Sequence, residues 1–187
     1  MMKIILAITG ASGSLYALEF LKIMQDLEVK PHAIISESGR IVLKHELGLT
    51  PADLDDYVDS WYAIDDFTAP MSSGSSGFDA MVILPCTMGT LGAIANGLSE
   101  NLIHRAADVI LKEKHPLLMA VRETPLNRIH LQNMLKVQEA GAVICPPMPS
   151  FYHHPEDLNE MARFFACRIG DLLGLEIPNR KRWQGIT

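Results

Sequence analysis

Residues 4–14 read Ile4-Ile5-Leu6-Ala7-Ile8-Thr9-Gly10-Ala11-Ser12-Gly13-Ser14, and they decide the fold. The first five are apolar and rich in isoleucine, which suits a strand buried on both faces. Beyond the turn, Leu15, Ala17, Leu18, Leu21, Met24 and Leu27 recur at helical spacing and predict a helix with one apolar face. Strand, glycine-rich turn and helix together aim free backbone N–H groups at an anion. Gly10 and Gly13 let the backbone turn sharply and come close. Ser12 and Ser14 offer hydroxyls to a phosphate or cap the helix. A tight turn with a serine cap and no ligand is the plainer reading. Its place at the head of an α/β chain favours a nucleotide or flavin phosphate.

Outward from this turn the chain alternates. Pro31–Ser36 predicts a second strand, with Ser36 and Glu37 at its C-terminal end. Glu37 would suit the ribose of a dinucleotide; Ser36 would suit a flavin mononucleotide. Ser38–Leu47 predicts a helix with Ile41, Val42 and Leu47 inward and Gly48 at its end. Thr50-Pro51-Ala52-Asp53 is a helix start. Trp61–Ile64 predicts a short edge strand, and the serine- and glycine-rich segment 65–78 a mobile, exposed lid or subunit-contact loop. Asp79–Pro85 predicts the third buried strand. It ends in Cys86-Thr87-Met88-Gly89-Thr90, a second turn of small and hydroxyl residues. Two such turns at one sheet edge define a crevice.

Leu91–Gly97 predicts a small-residue helix, and Asn101–Lys114 a longer one capped by Ser99 and carrying Arg105, Asp108 and Lys112. Pro116–Val121 predicts a strand followed at once by Arg122-Glu123-Thr124-Pro125. Asn127–Ala140 (helix), Ala142–Cys145 (strand) and Glu156–Leu173 (helix) complete the pattern, and a tail runs from Glu176 to Thr187. Strands alternating with helices imply one α/β domain over residues 1–187: a three-layer, doubly wound, mostly parallel sheet.

The 187 residues are 48% hydrophobic and carry a net charge of −6. That composition points to a large core or to surface shared with other subunits. The acidic balance argues against nucleic acid as a partner. No apolar run approaches the roughly 20 residues of a membrane span, and no secretory signal is visible, so a cytoplasmic protein is expected. Cys86, Cys145 and Cys167 lie far apart and read as reduced, mostly buried thiols. Seven histidines show no metal-ligand spacing, and no metal is expected.

Each basic residue alone reads as a solvated surface charge. Arg105 and Lys112 share a helix face, Arg122 and Glu123 follow a strand end, Tyr152 follows the last strand, and Arg168 lies in the last helix. Together they suit a phosphate or diphosphate. A short-chain dehydrogenase could also begin Thr-Gly-Ala-Ser-Gly. Its tyrosine would need a lysine four residues on, and none of the four tyrosines here has one.

With these motifs in view, the chain resembles the UbiX-like flavin prenyltransferases over nearly its whole length. The resemblance is carried by Gly10-Ala11-Ser12-Gly13, Pro85-Cys86-Thr87-Met88, Asn101-Leu102-Ile103, Arg105-Ala106-Ala107-Asp108-Val109, Leu111-Lys112-Glu113, Arg122-Glu123-Thr124-Pro125, His130-Leu131, Asn133-Met134 and Pro149 with Phe151-Tyr152. It implies a Rossmann-like flavoprotein that joins the dimethylallyl group of dimethylallyl phosphate to N5 and C6 of reduced FMN, without a metal. The product would pass to a UbiD-like decarboxylase. It also implies a homo-oligomer, a dodecamer, with the tail 176–187 against a neighbouring subunit. The family has also carried a carboxy-lyase label.

By the same resemblance, Gly10, Ala11, Ser12, Ser36, Thr87, Met88, Gly89, Thr90 and Arg122 hold FMN. Lys112, Tyr152 and Arg168 grip the donor phosphate. Ser12 and Glu123 move the N5 proton, and Arg105 and Lys112 join the catalytic charge network. Thr87 stands where the family often has serine, and Phe67 where some members have tryptophan. The rival readings are an FMN-dependent decarboxylase of a peptidyl-cysteine type and a non-catalytic FMN carrier.

Overall fold

A computed structural model describes residues 2–183 and 185. Six parallel strands form one sheet: β1 (Ile4–Ile8), β2 (His32–Ile35), β3 (Ser60–Tyr62), β4 (Ala80–Cys86), β5 (Leu117–Val121) and β6 (Val143–Ile144), in the order β3-β2-β1-β4-β5-β6. Every residue of β1, β4 and β5 is buried, as their continuous apolar runs require of strands covered on both sides.

The helices make the outer layers. α1 (Ser14–Asp26), α2 (Glu37–Leu47) and α6 (Leu158–Leu172) pack on one face, where Phe20, Met24, Leu43, Phe165 and Ile169 meet Ile4, Leu6 and Val82. α3 (Met88–Ala95), α4 (Leu102–Lys112) and α5 (Arg128–Glu139) cover the other, where Leu91, Ile103, Ile110 and Val137 meet Ile5, Met81 and Met119. Odd and even residues of one strand therefore feed different cores. The strand order reverses between β1 and β4, and the crevice of such a sheet opens at that reversal, beyond the strands' C-terminal ends.

Several expectations shift. The buried apolar residues of α1 are Ala17, Phe20, Leu21, Ile23 and Met24. Ile41, expected inside, is exposed; the inner face of α2 is Gly39 and Leu43. Segment 65–78 is pinned rather than loose: it forms two 3-10 turns, buries Ala69, Met71 and Phe78, and Arg105 Nε donates to the Ser72 carbonyl at 3.1 Å. Asn101, not Ser99, caps α4, its side-chain oxygen accepting the His104 N–H at 3.0 Å; Ser99 lies before the turn that the cap closes. Of the tail, Gln184, Ile186 and Thr187 lie outside the described residues. Among the described residues no helix is long and apolar enough to cross a membrane.

The cap assignment predicts that Asn101→Ala lowers stability by about 1 kcal/mol and Ser99→Ala by less than about 0.5 kcal/mol. Urea unfolding midpoints distinguish them, and equal effects would contradict the assignment.

Candidate active site

The C-terminal ends of four strands are tied edge to edge. Thr9 is buried and makes three bonds there. Its N–H donates to the Pro85 carbonyl at 3.2 Å, its hydroxyl donates to the same oxygen at 2.8 Å, and that hydroxyl accepts the Thr87 N–H at 2.9 Å. The Ser36 N–H donates to Ile8 O and the Arg122 N–H to Cys86 O, both at 3.0 Å. Pro85 offers no N–H, and the β4–β5 register shifts between Ile83 and Cys86, turning Thr87 out of the ladder.

Gly10, Ala11 and Ser12 therefore share one edge with Ser36, with Thr87, Met88, Gly89 and Thr90, and with Arg122 and Glu123. Gly10 has no room for a side chain, because a Cβ there would collide with Ser38. Ser36 caps α2, its hydroxyl oxygen accepting the Gly39 N–H at 3.0 Å. Thr87 caps α3 by accepting the Thr90 N–H at 3.2 Å and donates to the Thr90 hydroxyl at 3.0 Å. At Gly89 a Cβ would find nothing closer than the Thr87 hydroxyl at 4.0 Å, so the start of α3 leaves flat, open space. Small residues, hydroxyls, backbone donors and one guanidinium fit a flavin mononucleotide.

The helix start after the first turn holds a residue that the sequence reading missed. α1 has Gly13 at its cap position, with φ of 120° and no side-chain cap, so neither Ser12 nor Ser14 caps it. Instead the Glu46 carboxylate, from the last turn of α2, accepts the Gly13 N–H at 3.0 Å and the Ser14 N–H at 2.8 Å. An anion sits well against these unpaired donors. Burial pushes the Glu46 carboxyl up. Hydrogen bonds from the Ser12 hydroxyl, the Ser14 and Gly13 backbone and the Ser14 hydroxyl outweigh that and hold it below the ordinary carboxylate range. Glu46 is therefore ionised at neutral pH and held at the turn that carries Ser12. Nothing in the local sequence marks it, because the partners lie 32 and 33 residues away.

The remaining predicted residues do not gather at this edge. Arg105 is held by the Ser72 carbonyl and by Asp108 Oδ2 at 2.8 Å. Lys112 ends α4 beside the N-terminal end of β5 and pairs with Glu113, next to Gly74. Tyr152 and Arg168 line a cavity of about 1030 Å³ between the end of α1, the β6 edge, α6 and the tail. None of Gly10, Ala11, Ser12, Ser36, Thr87, Met88, Gly89, Thr90, Arg122 and Glu123 lines that cavity.

Within the edge itself, Arg122 and Glu123 are solvent-facing, and Glu123 Oε1 accepts the Thr124 N–H at 2.9 Å. Tyr16 packs edge-on to Phe165 at 5.2 Å. Burial raises the Tyr16 phenol, and the nearby Arg122 charge opposes that rise. Cys86 is fully buried and its thiol is pushed far up by that burial, with a small further push from Cys145; it is a core residue and no nucleophile. Burial likewise pushes Cys145 up to about 12. Among the described residues, no group of three or more His, Cys, Asp and Glu side chains is placed to hold a metal ion.

This geometry has counterparts among known proteins. A family model described as Flavoprotein matches residues 1–163. The flavin prenyltransferase UbiX of Methanothermobacter thermautotrophicus is 47% identical over 182 residues, covering 97% of this chain and 95% of that protein. The crystal structure of AnUbiX (PadA1) in complex with FMN and dimethylallyl pyrophosphate superposes with a TM-score of 0.96 at 39% identity, covering 100% of this chain and 99% of the other. A dodecameric FMN-dependent UbiX-like decarboxylase from Escherichia coli O157:H7 superposes with a TM-score of 0.95 at 37% identity, covering 98% and 100%. With small residues, hydroxyls and backbone donors gathered at the sheet's reversal point and full-length identity at this level, the chain belongs to the flavin prenyltransferases of the UbiX kind, within the flavoprotein family.

Proposed function

We propose that this protein transfers the dimethylallyl group of dimethylallyl phosphate to N5 and C6 of reduced FMN, in the cytoplasm, and hands the product to a UbiD-like decarboxylase. The observation that carries the reading is the Glu46 carboxylate bonded to the Gly13 and Ser14 N–H groups at the first strand-end turn. It puts an ionised carboxylate at the turn of Ser12, beside the place where a flavin would lie. When bound, reduced FMN supplies the nucleophilic nitrogen and carbon.

The chain's own residues do the rest. Gly10, Ala11, Ser36, Thr87, Met88, Gly89, Thr90 and Arg122 bind and orient the flavin at the strand ends. Ser12 accepts the proton from N5 and relays it to Glu46, and Glu123 is a second carboxylate for the same proton traffic. Tyr152 and Arg168 hold the donor phosphate, and the cations stabilise it as it leaves. Apolar and aromatic walls keep water from the allylic carbon.

Tyr152 and Arg168 sit apart from the crevice, and Lys112 lies toward the opposite sheet edge. In this reading they reach the crevice of a neighbouring subunit. The E. coli neighbour is a dodecamer, and the exposed Ile41, Ile129, Leu135, Met148 and Phe151 side chains are apolar surface for such assembly. The described tail, lying on α6 and presenting Trp183, belongs to the same contact. Arg105, fixed to segment 65–78, keeps that segment in place at the subunit boundary.

Two outcomes test this. Anaerobic incubation with reduced FMN and dimethylallyl phosphate, run beside dimethylallyl diphosphate, yields a flavin heavier by one isoprenyl unit. An unchanged flavin with donor intact contradicts the assignment. Glu46→Gln lowers kcat by about 100-fold with FMN still bound. Its unfolding also changes with pH. A carboxylate held below its free value of 4.5 stabilises the fold above that pH and loses the effect as pH falls through the depressed folded value. Glu46→Gln therefore flattens the stability loss below about pH 4.5, and an acid limb identical to that of the unmodified protein would exclude the ionised bond network.

A further inference from the structure

The tail after α6 is fastened to it at three places. Gly170 leaves space on the helix, and Ile177 fills it; a Cβ on Gly170 would collide with that side chain. Lys181 Nζ pairs with Glu160 at 2.8 Å and lies over the Phe164 ring at 5.4 Å. The third place is Asp171. Its carboxylate contacts Arg180, lies 3.6 Å from Arg182, and lies 3.7 Å from Arg168, one helical turn earlier. Asp171 and Arg180 side chains are only 12% and 13% exposed, whereas Arg168 and Arg182 are 65% and 57% exposed.

The consequence falls on the donor residues. Once Arg180 and Arg182 are tied down, Trp183 comes edge-on to Tyr152 at 5.1 Å, and Tyr152 lies tilted against His153 at 4.4 Å. Tyr152, Arg168, Arg180, Arg182 and Trp183 all line the same cavity. Three guanidinium groups around one carboxylate leave two positive charges uncompensated. A phosphate monoester carries about −1.5 to −2 near neutral pH, which balances them.

We infer that Asp171 is a positioning residue for donor binding: it clasps the arginine-rich tail onto α6, lays Trp183 against Tyr152 and holds Arg168 toward the same cavity. The inference rests on the proposed reading that Tyr152 and Arg168 bind the donor phosphate. Asp171 touches no substrate itself. It steers an exposed arginine whose long side chain would otherwise sample many rotamers, and it keeps the buried Arg180 paired.

The test uses the full-length protein with Trp61→Phe, which leaves Trp183 as the single tryptophan of the two in the sequence. Asp171→Asn raises KM for dimethylallyl phosphate about tenfold, keeps kcat at saturating donor within about twofold, and leaves FMN binding unchanged. Trp183 emission moves to longer wavelength as the tail lifts. Asp171→Glu, which keeps the charge, holds KM within about threefold.

A KM for Asp171→Asn within about twofold of the parent overturns the inference, as does a parallel loss of kcat and FMN binding, which marks a merely structural role. Should Asp171→Asn not fold, the exposed Arg182→Gln gives a KM rise of about threefold, and an unchanged KM there overturns the inference. If the parent protein makes no prenylated flavin, the reading on which the inference rests has failed. Trp183 emission in Asp171→Asn then decides separately whether the clasp exists.

Discussion

The hydroxyl of Thr9 is the constraint on which the site depends. It sits at the point where the strand order reverses, and it bonds to the Pro85 carbonyl within the register shift of β4 and to the Thr87 N–H just beyond the strand. A reversal point naturally opens, because consecutive connections leave in opposite directions there. One buried side chain spans the gap below the opening. It fixes the two turns that supply Gly10–Ser12 and Thr87–Thr90. An apolar isostere would leave the Thr87 N–H without its partner, at a cost of about 1–3 kcal/mol, while the Pro85 carbonyl would keep only the Thr9 N–H. Crevice and clamp therefore come from the same few residues.

Electrostatics completes the edge. A glycine-rich turn before a helix attracts an anion, and here the chain supplies one of its own in Glu46. The Gly13 and Ser14 N–H bonds that help draw its pKa down also hold it at the turn that carries Ser12. The same feature that would seat a phosphate in another α/β protein thereby becomes a place for a base. The positive charge that the proposed reading assigns to an anionic donor lies elsewhere, at Arg168 and the tail, in the cavity by the β6 edge. Separating the two within a chain keeps Glu46 from being neutralised by the arginines that grip phosphate. In the proposed reading it also makes assembly a requirement for catalysis.

Much of the fold could be read from the chain. The runs Ile4–Ile8, Ala80–Cys86 and Leu117–Val121 are apolar without interruption, and only a parallel sheet covered on both faces explains that. Thr87 and Arg122 were legible because each directly follows such a run, and Ser36 because it follows the shorter β2. Glu46 was not, because its role comes from a contact between two helices that no spacing rule encodes. Segment 65–78 looked mobile from its serines and glycines, yet Met71 and Phe78 anchor it; composition reports backbone freedom and misses two well-placed apolar side chains. Ser99 and Asn101 were both good caps by type, and only the geometry chose between them. Lys112 and Arg168 were legible as cations, but their separation from the crevice is a property of the packed chain.

The central claim is that the strand-end crevice of one subunit works with the Tyr152–Arg168 cavity of another. The most direct measurement is activity of mixed oligomers, in which Glu46→Gln and Tyr152→Phe chains are co-expressed and purified together through different tags. Each variant alone is impaired in a different half of the site. The account predicts that co-assembled oligomers regain prenylation activity above that of the two variants mixed after separate assembly. Activity no higher than that mixture would contradict it and place both halves of the site within a single chain.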